Sequence, residues 1–265
     1  MAWPDTCKSR LPYCEVFSMI DVKYINHMGT DITVVNAARV SFGKKSDFVC
    51  TDMIIGKYEM KEADTKLIKY LAKHKHMSPF GHCFATFHVK APIFVARQLV
   101  KHKFLRWNEI SRRYVDSEPE FYIPEFRKAV KNKKQGSGGV INSENLRIRF
   151  ERNMVSAKHK YEYLLHQNVC PEQARMVLPQ NTMTEWYWSG SLDAFADMCN
   201  LRCASDTQYE TRLVATKVSD SMKVLFPVSW DALVKVNGHQ AEKMTDVAVF
   251  SEDIWQDGDG GELFT

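Results

Sequence analysis

HCFATFHVKAPIFVARQLVKHKFLRWNEISRRY, residues 82–114, changes period partway along. From His82 to Lys90 the residues alternate, with Cys83, Ala85, Phe87 and Val89 on one side, the two-residue repeat of a strand. Ala91-Pro92 then opens a predicted helix, PIFVARQLVKHK (92–103), because the fixed φ of proline suits the first helical position. A strand feeding into a helix, in a chain without strict strand–helix–strand rhythm, points to an α+β fold. The expected architecture is a single domain with an antiparallel or mixed sheet and long helices.

Upstream, residues 15–25 (EVFSMIDVKYI) mix β-branched and aromatic types and end near a turn signal at His27-Met28-Gly29, so they read as a strand. VVNAARVSF (34–42) carries a weaker pattern that suits the start of a helix. A clearer helix is predicted from Asp64 to His74, with Asp64 as its cap and Leu67, Ile68 and Leu71 on one face. Downstream, residues 131–145 (KNKKQGSGGVINSEN) are basic, glycine-rich and aperiodic, and read as a surface loop. Two long helical patterns follow, Leu146 to Gln167 and Ser191 to Leu225. The second turns Phe195, Cys199, Arg202, Tyr209, Leu213 and Met222 inward. No Lys or Arg follows Lys243, and residues 252–262 hold five carboxylates and three glycines, the composition of a mobile tail.

The 265 residues carry a formal net charge of +4, and 45% of them are hydrophobic, an ordinary globular balance. The longest apolar run, Ala91 to Ala96, is far too short to span a bilayer, and the N-terminus has no secretory core. A soluble, cytoplasmic protein is expected, without a membrane partner. The seven cysteines are scattered and odd in number, which argues against a disulfide framework. Cys199 and Cys203, four apart, read as small core residues rather than zinc ligands, so no metal is expected.

Basic and polar residues are densest between Arg97 and Tyr114. On a helix running to Lys103, Gln98, Lys101 and His102 share one face. Arg106, Asn108, Glu109, Ser111, Arg112 and Arg113 follow within eight positions. Cations, a hydroxyl and backbone N–H groups suit a phosphate, whereas Glu109 would repel one and instead accept from a sugar hydroxyl or a base N–H. A solvated helix end has the same composition. So has a nucleic-acid groove in which Trp107 and Tyr114 stack bases, although such binders usually spread their charge over a face. A non-catalytic nucleic-acid-binding protein using segment 97–114 is therefore the alternative reading.

Lys101-His102-Lys103, seven residues and then Ser111, with Asn108, Glu109, Arg113 and Tyr114 between and after, resembles the Arg-His-Arg signature of the flavin-dependent thymidylate synthases, the ThyX family. AARVSF (37–42), HKHMSPFGHCFATFHVKAPIFVARQ (74–98), EFYIP (120–124), ARMVLPQN (174–181) and NLRCASDTQYE (200–210) are similar to further family segments in the family's order. The resemblance implies a catalytic domain over residues 1–230, including the basic loop 131–145, with 231–265 as a C-terminal extension.

That resemblance implies conversion of dUMP to dTMP by an FAD-dependent methyltransferase. Methylenetetrahydrofolate would give the one-carbon unit, and FAD reduced by NADPH the hydride, without an enzyme nucleophile. Arg202 would be catalytic, stabilising charge on the polarised pyrimidine. Gln98, Lys101, Glu109, Ser111, Arg112, Arg113, Arg175 and Arg202 would bind dUMP. Ser41, His76, Ser78, Lys101, His102, Lys103, Glu109, Ser191 and Asp197 would hold FAD. The family implies a homotetramer whose sites are shared between subunits, with dUMP and folate as partners and no nucleic acid. Ser111 has no recognisable base and is assigned to binding. Cys170 reads as a structural cysteine.

Two departures from the family pattern stand out. Lys101 and Lys103 replace arginines, keeping the charge but losing the planar fork, and Arg106 is a candidate compensating donor. Asp193 and Asp197 stand where many relatives carry Arg and Asn facing FAD.

Overall fold

A computed structural model describes residues 19–53, 57–115, 117–131 and 136–235. The acidic tail, most of the 231–265 extension, the N-terminal segment, Cys7 and Cys14 lie outside the described residues.

Strand β1 (Asp21–Met28) leads into α1 (Asp31–Arg39), a 3₁₀ turn Val40–Phe42, the hairpin β2 (Val49–Asp52) and β3 (Lys57–Glu59), and α2 (Glu62–Lys73). A second 3₁₀ turn, Ser78–His82, precedes β4 (Phe84–Pro92), α3 (Ile93–Leu99) and β5 (Leu105–Glu109). Next come α4 (Glu144–His166), α5 (Pro171–Ala174), a 3₁₀ turn Arg175–Val177 and β6 (Met183–Ser191). The described residues close with α6 (Leu192–Arg202), α7 (Tyr209–Leu225) and α8 (Pro227–Leu233). The main sheet has the order β1-β4-β6-β5, every pair antiparallel, so the α+β expectation holds.

Alternation decides which face of the sheet is buried. On β4 Ala85, Phe87, Val89 and Ala91 are essentially inaccessible, and Cys83 just before the strand is too. On β6 Thr184, Trp186 and Trp188 point the same way, into a core shared with Phe195, Val214, Val218 and Met222 of α6 and α7. The opposite face carries polar pairs such as Thr86 with Ser189 (3.0 Å) and His88 with Glu185 (3.2 Å). β6 is absent from the sequence reading, although Thr184-Trp186-Trp188 alternating with Glu185-Tyr187-Ser189 is a strand pattern. Gly190 faces β5 closely: a Cβ there would lie 3.3 Å from the Phe104 carbonyl oxygen and 3.5 Å from Leu105 Cα, and would displace the Leu105 side chain.

Four local expectations are corrected. β1 runs through His27 and Met28, and the chain turns at Gly29, whose φ of +86° suits glycine. Asp64 is not a cap: Lys61 holds that position, and Asp64 lies buried in the first turn of α2. There it accepts from the Arg39 guanidinium and from Ser46 Oγ (3.1 Å), tying the segment that bears Ser41 to α2. Removing one partner of such a buried pair costs about 3–5 kcal/mol.

The helix predicted to Lys103 ends at Leu99. His102 N–H closes a turn on the Leu99 carbonyl (3.1 Å), and Phe104 adopts φ +64°, redirecting the chain into β5. Pairing with β6 and burial of Trp107 against Trp186 outweigh the helical propensity of this run. The predicted helix 191–225 is two helices broken at 203–208, where Thr207 Oγ1 donates to the Leu201 carbonyl (3.2 Å) and Arg212 to that of Ser205 (3.0 Å).

Helix α4 starts at Glu144 with Ser143 as its cap, close to the predicted Leu146. The described parts of the basic loop fold back as a narrow excursion, with Ile141 N–H donating to the Phe126 carbonyl (2.7 Å) and Lys128 N–H to that of Gly139 (2.9 Å). Helices α1 and α8 are joined by Asp31, only 4% exposed, whose carboxylate accepts from the backbone N–H groups of Val228 and Ser229 (2.9 Å each) at the start of α8. Among the described residues no helix is long and apolar enough to cross a membrane.

Candidate active site

The junctions of the fold carry the polar groups. Helix α6 ends at Arg202, which lies half-buried against the end of α3. Arg202 Nε–H donates to His102 Nε2 (3.0 Å) and Nη2–H to the Gln98 carbonyl (3.4 Å). Gln98 Nε2–H donates in turn to Gln208 Oε1 (2.7 Å), the residue just before α7. Burial and the Arg202 charge hold the His102 ring down to a pKa of about 4. Gln98, His102 and Arg202, all predicted from the sequence, therefore form one cluster. Gln208 was missed because a helix drawn through 203–208 hides it.

A second cluster sits where β5 ends. Trp107 stacks on Trp186 with ring centroids 4.2 Å apart and planes 18° from parallel. Its Nε1–H donates to Glu109 Oε2 (3.0 Å), while Thr184 Oγ1–H donates to Oε1 (2.7 Å). Both oxygens of the predicted Glu109 are thus aimed by protein donors. Thr184 was missed together with β6. Trp107 is packed in the sheet, so the base-stacking role of the alternative reading is open to Tyr114 alone.

The third group is the turn after β5. Arg113 N–H donates to Ser111 Oγ (3.3 Å), and Arg112 Nη1–H to the Ser117 carbonyl (2.8 Å), leaving Ser111 and Arg112 half-buried and Arg113 exposed. Lys101 and Lys103 are exposed on the turn between α3 and β5. No base partners Ser111 among the described residues, and Cys170, read as structural, lies exposed ahead of α5.

The remaining predicted residues are dispersed, and all but the buried Ser191 are at least partly accessible. Ser41 is exposed on its 3₁₀ turn, and His76 and Ser78 lie exposed between α2 and β4. Exposed Tyr70 and His74 make ring contacts with His76. Ser191 ends β6 and caps α6 by position, beside the Cys83 carbonyl that accepts from Leu192 N–H (2.8 Å). Asp197 is exposed, its carboxyl pushed up by partial burial and then by Asp193, whose Oδ1 is buried without a partner among the described residues. Arg175 lies apart, donating to the Glu172 carbonyl (3.4 Å).

The exposed cations and the Ser41 and Ser78 hydroxyls suit the phosphates of a flavin dinucleotide. The Asp193–Asp197 pair does not, and suits only donors such as a ribose hydroxyl or an adenine amine. Cys199 and Cys203 sit in the core, and no group of three or more His, Cys, Asp or Glu is placed to hold a metal among the described residues. Two hollows of the described surface, of about 740 Å³ between residues 123–126 and 140–151 and about 570 Å³ beside α1 and α2, contain none of the predicted site residues.

An antiparallel α+β fold in which Arg202 is held by an imidazole and a carbonyl, with cations exposed on nearby turns, suits an anionic ligand. The family described as thymidylate synthase complementing protein matches residues 23–228, and the chain belongs to that family. It is 40% identical over 212 residues to a flavin-dependent thymidylate synthase of Thermus thermophilus, covering 80% of this chain and 74% of the relative. One from Kosmotoga olearia is 38% identical over 218 residues, covering 80% and 89%. Among solved structures, the UMP/dUMP methylase PolB of Streptomyces cacaoi, bound with 5-Br dUMP, superposes with a TM-score of 0.70 at 30% identity, covering 82% of this chain and 95% of that one.

Proposed function

We propose that this chain is a flavin-dependent thymidylate synthase that methylates carbon 5 of dUMP to give dTMP, taking the one-carbon unit from methylenetetrahydrofolate, with NADPH as reductant. The observation that carries this reading is the convergence of Arg202 on Gln98 and His102, which joins segments a hundred residues apart into one polar centre. The flavin that these residues would hold would, when reduced, supply the hydride.

The chain's own residues have separable tasks. Arg202 keeps Nη1 without a protein acceptor among the described residues, so that group is free to donate to the pyrimidine and stabilise charge developing on its ring. Gln98 and Glu109 orient the base and sugar; Glu109 is held by Trp107 and Thr184 so that its outer lone pairs accept. Lys101, Ser111, Arg112, Arg113 and Arg175 hold the phosphate. Ser41, His76, Ser78, His102, Lys103 and Ser191 hold the cofactor, with Asp197 on its donor-bearing side. This reading carries with it a homotetramer in which neighbouring subunits close each site. The catalytic domain spans residues 1–230, and the protein works in the cytoplasm.

The test is tritium release from dUMP labelled at carbon 5, with FAD, methylenetetrahydrofolate and NADPH present. Release above a no-enzyme control is expected. Its absence, with the flavin bound, refutes the reading. A parallel assay with UMP shows whether the 2′-position is discriminated.

A further inference from the structure

We infer that His102 is a positioning residue, a neutral imidazole whose Nε2 accepts the Arg202 Nε–H and thereby aims the guanidinium at the pyrimidine. This rests on the function proposed above for Arg202. The bond itself dictates the protonation state. Arginine Nε carries one hydrogen and no usable lone pair, so at 3.0 Å it can only donate, and His102 Nε2 must be the acceptor. A protonated ring has two N–H groups and no acceptor, and would set N–H against N–H beside a full positive charge. The ring is therefore neutral with its proton on Nδ1. Half-burial beside Arg202 acts in the same direction, lowering the pKa to about 4.

The geometry has a second consequence. With Nε2 occupied, the only group His102 can offer a ligand is the Nδ1–H donor. It therefore serves the cofactor as a donor to an acceptor atom, and never as a base. The other hold on Arg202 comes from the Gln98 carbonyl at 3.4 Å, on a residue whose side chain is tied to Gln208. One acceptor from the last turn of α3 and one from the turn that follows it thus fix the plane of the guanidinium.

Nitrogen NMR of protein labelled at histidine tests this directly, with His102→Gln identifying the ring among the nine histidines. At neutral pH the signal lost in the variant should show a protonated Nδ1 and an unprotonated Nε2. A proton on Nε2, or a cationic ring, overturns the inference whether or not the protein makes dTMP. Turnover supplies the second readout. The Gln amide oxygen reaches the place of Nε2 and can accept, whereas Leu cannot. His102→Gln should retain at least about tenfold more kcat than His102→Leu, with the KM for dUMP shifting less than about threefold between the two. Equal kcat values, with both variants folded and retaining flavin, would show that the Nε2 contact does not position Arg202. Should the wild type lack activity altogether, the proposed function fails while the tautomer result stands on its own.

Discussion

The two halves of the candidate site are built differently. Around Arg202 the chain supplies its own partners: an imidazole, a backbone carbonyl and, one step out, a pair of glutamines, all from helix ends fixed by the core. Around Lys101, Lys103 and Arg113 it supplies charge on turns and leaves the side chains in solvent. The difference is chemical. A group that must meet charge developing on a ring has to be aimed in advance, because reorganisation during reaction would cost what the contact gains. A group that attracts a phosphate dianion works at longer range and tolerates movement. On the proposed reading, the pyrimidine end is complete in one chain and the phosphate end is finished by a neighbouring copy.

The largest effect expected from this contrast is at the aimed end. Arg202→Ala should lower kcat by about 10²–10³-fold while flavin stays bound, as read by tritium release and flavin absorbance. Equal loss of FAD would erase the distinction between the halves. Ser111→Ala should raise the KM for dUMP by about tenfold and leave measurable turnover, since it removes one hydrogen bond to an anion. Complete inactivity with dUMP affinity intact would instead make Ser111 a nucleophile.

Salt separates the halves without mutation. Raising it from about 0.05 to about 0.5 M should increase the KM for dUMP by about threefold through the exposed cations, and leave the kcat ratio of wild type to Arg202→Ala unchanged. The smallest effect is on stability. The folded His102 pKa of about 4 lies below its ordinary value near 6.5, so between these limits the unfolded chain binds more protons, and folding weakens as pH falls. Between about pH 7 and about pH 5 the Tm of the wild type should drop by more than that of His102→Gln. An equal drop would mean the ring takes up its proton without loss.

Much of this was legible from residues 82–114, because alternation in β4 is a local signal and Pro92, though it ends β4 as the cap of α3 and is not its first residue, still marks the change from strand to helix. The signature also named His102 and Glu109, which lie in the hydrogen-bonded clusters with Arg202 and Thr184. It did not tell that Lys101-His102-Lys103 leaves the helix, since that turn is set by β5 pairing with a strand 80 residues later. Gln208 and Thr184 stayed hidden for the same reason: each acquires its role from a partner far away in sequence, Gln98 and Glu109 respectively. Asp64 misled in the opposite way. An acidic residue at the start of a helix is a common cap, and only the arrival of Arg39 from another helix shows why this one is buried.

The Asp31 carboxylate clamps amide groups 197 and 198 positions further along the chain. During synthesis that carboxylate therefore waits, hydrated and exposed, until nearly all of the described residues have left the ribosome, and α1 gains this contact only when α8 is delivered. A truncation before Pro227 would leave that carboxylate without its amide partners and uncover the apolar face on which Trp230 packs. It should yield an aggregating product, although every residue of the candidate site would still be present.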